Sequence, residues 1–504
     1  MGAQPVRYHA DRALGALHMD ALRPFQASPA DPWDEAKAAH LARRAGFGAT
    51  PAERAQLAAL PVQAAVARFV DFPAVDQGLE ERLRAVGPAL DISDLPRGAY
   101  GEEVSTRVRR AWIFRMVHGA APLQEKLALL WHDHFACQVS KVVRMRLMRN
   151  QNELFRRAGA GSFRALLKAV ARDPAMLVYL DNRVSVRANP NENWARELME
   201  LFTLGVDRYS QEDVRAVARA FTGWTTEAPD SDAFTFEPKT HDGADKTLFG
   251  ETLRGRPDRA GLEEGDEALD RLLARPDSAP FVAAHLLAWF GDEAPAPEIV
   301  AAVAERLRAT DWSIRETLRA LVTSAWFYGE ERRFARIRNP VELLIGNARL
   351  LEVQNAHLAG LEMHLGSLGM NLFEPPSVAG WDHGEVWIEP GSVAPRLNLA
   401  LALSRLPHAG RAITGRTSID LDQLSEGLEA DAPALVRALA GRLLGRALAP
   451  EQEQTIVAYL EAETPLLPAG EADADADKRG RDLRRARVRA ALHLVLGAPQ
   501  TVYA

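Results

Sequence analysis

Asn191–Glu192–Asn193–Trp194–Ala195–Arg196–Glu197–Leu198–Met199–Glu200–Leu201–Phe202–Thr203 reads as one amphipathic helix, with Gly205 placed to stop it. At 100° per residue, with Glu197 at zero, Leu204, Leu201, Trp194, Leu198 and Phe202 fall between roughly −20° and +140°. Glu197 lies inside that apolar arc, while Asn193 and Glu200 sit at its edge, near roughly −40° and −60°. Arg196, just beyond Glu200, is placed to act as counter-ion. A carboxylate in an apolar stripe costs several kcal/mol unless it is paired, liganded or neutralised, so Glu197 needs a structural partner or a chemical role.

The same helical spacing runs through most of the chain. Ala and Leu abound, β-branched runs are scarce, and apolar residues recur three and four apart. Helices are expected over 34–45, 51–69, 103–118, 122–137, 162–172, 191–204 and 210–221, and again over 263–274, 278–290, 296–308, 313–325, 340–353, 356–367, 395–404, 431–444, 450–461 and 479–495. Thr50–Pro51–Ala52–Glu53 has the form of a capping box with proline at the first helical position. The fold class is therefore mainly α: a large multi-helical body with two long irregular loops and little β.

The loops are residues 222–262, rich in Gly, Asp, Thr and Pro with short extended pieces such as Ala233–Phe236, and 369–394, carrying Pro375–Pro376, Trp381 and Trp387. The Ala-Asp repeats and basic cluster of 466–482 read as a solvated linker. This divides the chain into an extension (1–33), a helical part with the His and Glu motifs (34–221), a loop region (222–262), a second helical part with the Trp loop (263–404) and C-terminal helices (405–504).

Composition excludes several classes. The 504 residues are 47% hydrophobic and 26% charged, with a net charge of −7 and acids and bases interspersed, which gives no electrostatic footprint for nucleic acid. The single cysteine, Cys137, rules out an internal disulfide and a cysteine-based zinc site, and reads as a small buried residue. No apolar run is long enough for a signal peptide or a membrane span, so the sequence as it stands predicts a cytoplasmic protein; an incomplete N-terminus would allow export.

Three further segments carry chemistry. Within Trp131–His132–Asp133–His134–Phe135, the wheel puts His134 among Leu123, Leu127, Leu130, Trp131 and Phe135, and puts His132 on the opposite edge beside Glu125. His134 is thus the candidate for a buried site, and His132 for a polar contact with Glu125. His241–Asp242, on the first loop, forms a plausible acid/base or ligand pair. The loop Phe373–Trp387 brings Trp381, able to floor a sugar or aromatic ligand, and His383. Each also has an ordinary structural reading: a core ion pair for Glu197, a satisfied buried imidazole for His134, an Asx turn for His241–Asp242, loop packing for the tryptophans. None of the spacings matches HExxH, a P-loop, GxSxG or a dinucleotide fingerprint.

Taken together, these residues carry a resemblance. From His40–Leu41–Ala42–Arg43–Arg44–Ala45–Gly46–Phe47–Gly48 the chain resembles the bacterial domain-of-unknown-function-1800 family. The likeness passes through Glu125–Lys126, Trp131–Phe135, Arg172–Asp173–Pro174–Ala175–Met176, Asn191–Gly205 and Phe221–Thr222–Gly223–Trp224. It continues through His241–Asp242 with Lys246–Thr247, Pro375–Trp381 and Arg396–Leu397–Asn398. The resemblance implies a largely helical bacterial protein, often exported. It also implies a partner from the alkaline phosphatase and sulfatase superfamily, beside which members are often encoded. This chain departs from the family in Met370, where relatives favour glutamine, and in Asp382–His383, where they favour proline or glycine.

Two functions follow as expectations. In an enzyme, the segments near 132–134, 193–200, 241–242 and 381–383 converge on one cleft. His134, His241 and Glu197 then bind a divalent metal ion, Glu200 or Asp242 is the base, and Asn193, Trp381 and His383 contact substrate for hydrolysis or oxidation. A metal-free version uses Glu197 and Glu200 as acid and base on a carbohydrate-like substrate resting on Trp381. In a non-catalytic scaffold, the same residues form a buried polar network and the loops present a surface to a partner.

Overall fold

Capping chemistry starts the helices where short polar residues precede apolar periods. Thr50 and Glu53 exchange the two bonds of a capping box, as do Ser210 with Asp213 and Asn339 with Glu342. Asn191 accepts from the backbone N–H of Asn193 and Trp194, and Gly205 ends that segment at φ +86°. The chain, in a computed structural model, is described over residues 21–504 except 74, 88–89, 94, 97, 229–230, 356–359, 409–416, 429 and 463–475. It is mainly α, and one continuous hydrophobic core runs from Phe25 to Ala498. Among the described residues no helix is long and apolar enough to cross a membrane.

The centre of the body is the helix Pro122–His134, in which every residue is buried. Helices Glu102–His118, Met145–Ala158 and Val62–Val70 pack around it. A helix buried on all sides must satisfy its own charges. Arg156 forks onto Glu125 at 2.7 and 3.0 Å, and Lys126 meets Glu342 at 2.7 Å and the carbonyls of Arg43 and Gly46 at 3.0 Å each. Such pairs add little net stability, but removing one member strands the other in a low-dielectric core. The expected contact between His132 and Glu125 does not form: Arg156 takes the carboxylate, and Trp112 stands between the two, its Nε1 donating to Glu125 at 2.9 Å and its ring edge against His132.

Element boundaries differ from expectation in instructive places. The single helix expected over 51–69 is two, Pro51–Ala58 and Val62–Val70, because Pro61 removes a donor and clashes with the preceding turn. Helices Gln77–Val86 and Met145–Ala158 form where none is expected. The 222–262 region contains two antiparallel hairpins, Trp224–Thr226 with Phe234–Phe236 and Lys246–Leu248 with Glu251–Leu253. The second turns through Phe249 and Gly250, both at positive φ, which matches the twist of a two-residue hairpin. Most of the expected linker lies outside the described residues, but its end, from Ala476, begins the helix Ala476–Leu496. Residues 1–20 of the N-terminal extension also lie outside them, whereas Phe25 is buried in the core and Pro24 pairs with Ser324.

Candidate functional site

The last turn of the central helix is a hub on which two other segments are docked. His132 Nε2 accepts the backbone N–H of Phe373 at 3.0 Å, so its proton resides on Nδ1, and burial lowers its pKa to about 4. Asp133 Oδ1 accepts the backbone N–H of Trp381 at 2.8 Å, and its Oδ2 stands 3.1 Å from His383 Nε2. His383 is held above the usual histidine range: burial pulls its pKa down, and Asp133 outweighs that. His134 points the other way, its Nε2 donating to the carbonyl of Phe202 at 3.1 Å. Its Nδ1 is buried without a partner beside the ring of His285, 4.9 Å away, and burial holds both imidazoles below the usual range. Three neighbouring residues thus tie down the Trp loop and the segment after Glu197.

That segment is not a plain α-helix. From Leu198 to Thr203 the ladder widens to a π-helix, with Leu204 and Gly205 both donating to Met199 and Thr203 Oγ1 donating to Leu198. The buried arc includes Ala195 and Met199 as well as Trp194, Leu198 and Phe202, and so is rotated away from Glu197 relative to the wheel. Glu197 therefore stands half-buried at the edge, not in the core. Among the described residues no hydrogen bond or ion pair reaches its carboxylate, because Arg196 turns instead to Gln211 at 2.9 Å. Burial first, and then neighbouring Glu200, raise the Glu197 pKa. Glu200 accepts from Tyr209 Oη at 2.8 Å. Buried Tyr179 lies close enough for Glu374 and Glu197 to push its phenol up further than burial alone, and it donates to Gln138 at 3.0 Å. Asn193 is exposed on the same helix. A partnerless carboxyl of raised pKa, with a second carboxylate and a phenol nearby, has the make-up of a proton-transfer site. π-helical turns are found disproportionately at functional sites.

The remaining expected residues go elsewhere. His241 is buried in a separate network: Nδ1 lies 2.8 Å from the carbonyl of Thr222, and Nε2 lies 3.2 Å from Glu264, off the line of a good hydrogen bond. Lys246 pairs with the same Glu264. Asp242 is held by the Arg219 fork at 2.6 and 3.2 Å, and although burial opposes it, its pKa is lowered. A carboxylate so paired is a poor base. His134, His241 and Glu197 each have different surroundings and do not gather as metal ligands; among the described residues the group of three with metal-ligand spacing is His408, Asp420 and Asp422, where Arg485 already occupies Asp422. Trp381 is 3% exposed, its ring edge against His132, so it offers no open platform for a sugar. The 132–134 segment meets 373–383 and Phe202, just beyond the expected 193–200 segment, whereas the contacts of His241 and Asp242 are with Thr222, Glu264 and Arg219. Sequence reasoning missed Tyr179, Tyr209 and His285, and the pairing of Asp133 with His383. Only the unusual His383 itself was a signal for the last.

The family described as "Protein of unknown function (DUF1800)" matches residues 40–502, nearly the whole chain. The chain belongs to this family. No curated protein and no solved structure matches it. The family match spans both the hub and Glu197, as well as the separate His241 network, so all three lie within the DUF1800 region.

Proposed function

We propose that this DUF1800 protein is an enzyme of proton-transfer chemistry, most simply a hydrolase, with Glu197 as the group that gives and takes the proton. One observation carries the reading: among the described residues no hydrogen-bond or ion-pair partner reaches the half-buried Glu197 carboxyl, whereas Glu200, Asp133, Glu264 and Asp242 are each held by contacts. Its raised pKa supports a carboxyl that exchanges a proton nearer neutrality than an exposed glutamate. Glu200, one turn on and oriented by Tyr209, is the second carboxylate, and exposed Asn193 lies on the side from which substrate would approach.

The test is a panel of chromogenic glycosides, esters and phosphoesters, run from pH 4 to 9 on wild type and Glu197→Gln, with circular dichroism as the folding control. Turnover that falls at least about 100-fold in a folded variant supports the reading. A variant as fast as wild type refutes it. Elemental analysis of chelator-free protein tests a metal-dependent version: zinc, manganese or iron lost in Glu197→Gln supports a metal on Glu197 in place of a proton-transfer carboxyl, and metal-free folded protein removes it.

A second reading, a non-catalytic scaffold, is favoured by the hub, where His132, Asp133 and His134 all serve to dock backbone. A protein inert on the whole panel moves the weight there. A partner from the alkaline phosphatase and sulfatase superfamily rests on the family resemblance, and co-purification with such a protein tests it.

A further inference from the structure

Five arginines from distant parts of the sequence crowd one place far along the chain from Glu197. Arg43 lies in the last turn of the helix Glu35–Arg44, Arg54 in Pro51–Ala58, Arg333 and Arg338 precede Pro340–Leu350, and Arg446 follows Gly445. Phe334 organises two of them: the Arg43 guanidinium lies 4.3 Å from its ring centre and that of Arg446 4.4 Å. Gly445, in the left-handed conformation at φ +68°, leaves room for two more donors. A Cβ there would lie 2.6 Å from Arg43 Nη1 and 3.6 Å from Arg54 Nη1. The two guanidinium ends therefore converge over a bare stretch of backbone.

Cations packed this closely repel unless something negative lies among them. Among the described residues no carboxylate side chain forms an ion pair with Arg43, Arg54, Arg338 or Arg446, and all four keep a buried Nε without a hydrogen-bond partner. Arg333 pairs only with the exposed Glu330. Burial, followed by Arg338, Arg54, Arg446 and Arg333, lowers the Arg43 pKa to about 9. The ordinary explanation for such arginines is capping of helix C-termini. It accounts for Arg54, which donates to the carbonyl of Gly441 at 2.9 Å, and for Arg338, which donates to Thr501. It does not account for Arg43, whose guanidinium donates to no carbonyl among the described residues and is not fully closed off from solvent.

We infer that this arginine cluster is an anion site for a doubly charged tetrahedral oxyanion of the phosphate class, bound over Gly445 by the forks of Arg43, Arg54 and Arg446. Planar guanidinium donors match phosphate oxygens two at a time, and a dianion matches a site with several cations better than a single carboxylate does. The chemistry is shared by free phosphate and by a phosphomonoester lipid headgroup, so both are probes.

Inorganic phosphate is titrated calorimetrically into the full chain at constant ionic strength, with chloride as the compensating salt. Vesicles of phosphatidylcholine with and without phosphatidic acid form the second arm. Wild type binds phosphate saturably, and its thermal midpoint rises with phosphate concentration. Arg43→Gln and Arg446→Gln each weaken that binding at least tenfold and abolish the rise, while Arg437→Gln, an exposed charge elsewhere, leaves both unchanged. Without phosphate the two cluster variants melt no lower than wild type, because each removes a repelling charge. Arg446→Gln stands in where Arg43→Gln fails to fold. Binding confined to phosphatidic-acid vesicles, and lost in the variants, assigns the site to a headgroup. Binding of neither probe, or binding unaltered in both cluster variants, overturns the inference.

Discussion

Docking of the Trp loop on the central helix depends on Gly380, and Gly380→Ala tests that dependence. Gly380 sits at φ +82°, and a Cβ built on it would lie 2.3 Å from Asp133 Oδ1 and 2.6 Å from the Asp133 carbonyl oxygen. The carboxylate oxygen can turn away only by giving up the Trp381 bond, and the carbonyl is backbone, so the loop must lift. A non-glycine residue in the left-handed region costs about 1–2 kcal/mol. The bond from Trp381 N–H to the Asp133 carboxylate, 2.8 Å long, is charge-assisted, and losing it costs about 1.5–3 kcal/mol. The expected loss is about 2.5–5 kcal/mol, read from urea unfolding with an unchanged slope. Gly391→Ala is the control: nothing lies within 4 Å of its Cβ position in the helix Pro390–Ser404, so stability should hold or rise. A second readout follows the imidazole. With Asp133 displaced, the His383 pKa should fall, seen by nuclear magnetic resonance titration. A loss under about 1 kcal/mol with an unmoved His383 would show that the loop does not hang on this contact.

Two predictions concern pH. Burial raises the Asp173 pKa from 3.8 to about 7, so the folded state keeps a proton that the unfolded chain releases. The penalty is absent below pH 3.8, grows up to about pH 7 and is complete above it, with a ceiling of about 4 kcal/mol. Asp173→Asn should therefore gain on wild type between pH 4 and 8: its side-chain oxygen can still cap Met176 N–H, and its amide can reach Gln151 Oε1, which has no partner. An equal effect at both pH values counts against it. Glu342 behaves in the opposite sense. Burial opposes ionisation, but Arg336 and Lys126 bring its pKa from 4.5 down to about 2, so its contribution is present above pH 4.5 and lost as pH falls through 2. Wild type should lose up to about 3 kcal/mol over that window. Glu342→Gln should flatten the limb while costing about 3–5 kcal/mol at neutral pH, because Lys126 and Arg336 are left buried without their counter-ion.

How much of this was legible depended on whether the deciding contact was local. Three- and four-residue spacing identifies the helical class, and Thr50–Glu53 and Asn191 mark true starts because caps are satisfied within three residues. Pro61 was equally visible as a break. The helix Met145–Ala158 was readable in principle from Met145, Leu147, Met148 and Phe155, but it also buries Gln151, Asn152 and Arg156, which look like surface. Gln151 and Arg156 find partners, Asp173 and Glu125, from elsewhere in the chain. The same distance in sequence hid the pairing of His241 with Glu264, of Asp133 with His383, and of Arg43 with Arg446 across Phe334. A helical wheel assumes one period throughout, and Glu197 fell on the wrong side of the arc where Ala195 and Met199 join the core and the ladder turns π-helical.

That error bears on function. Had Glu197 stood in the core, stability would have demanded a partner, and its role would have ended there. Rotated to the edge, it is wet enough to remain without a counter-ion and buried enough for its pKa to rise. The hub keeps it so. His134 takes the Phe202 carbonyl, one of the groups within the widened ladder, and Asn191 anchors the other end by donating to Leu180 at 2.7 Å. Glu197 thus sits on a segment clamped from both sides, with a free side chain on a fixed backbone. Purely structural carboxylates in this protein are the reverse: Glu125, Glu342 and Glu264 each carry two or more charged or N–H partners. A fold that gives Glu125, Glu342 and Glu264 their partners and, among the described residues, leaves half-buried Glu197 without one on a rigid support matches the proton-transfer role proposed for that acid.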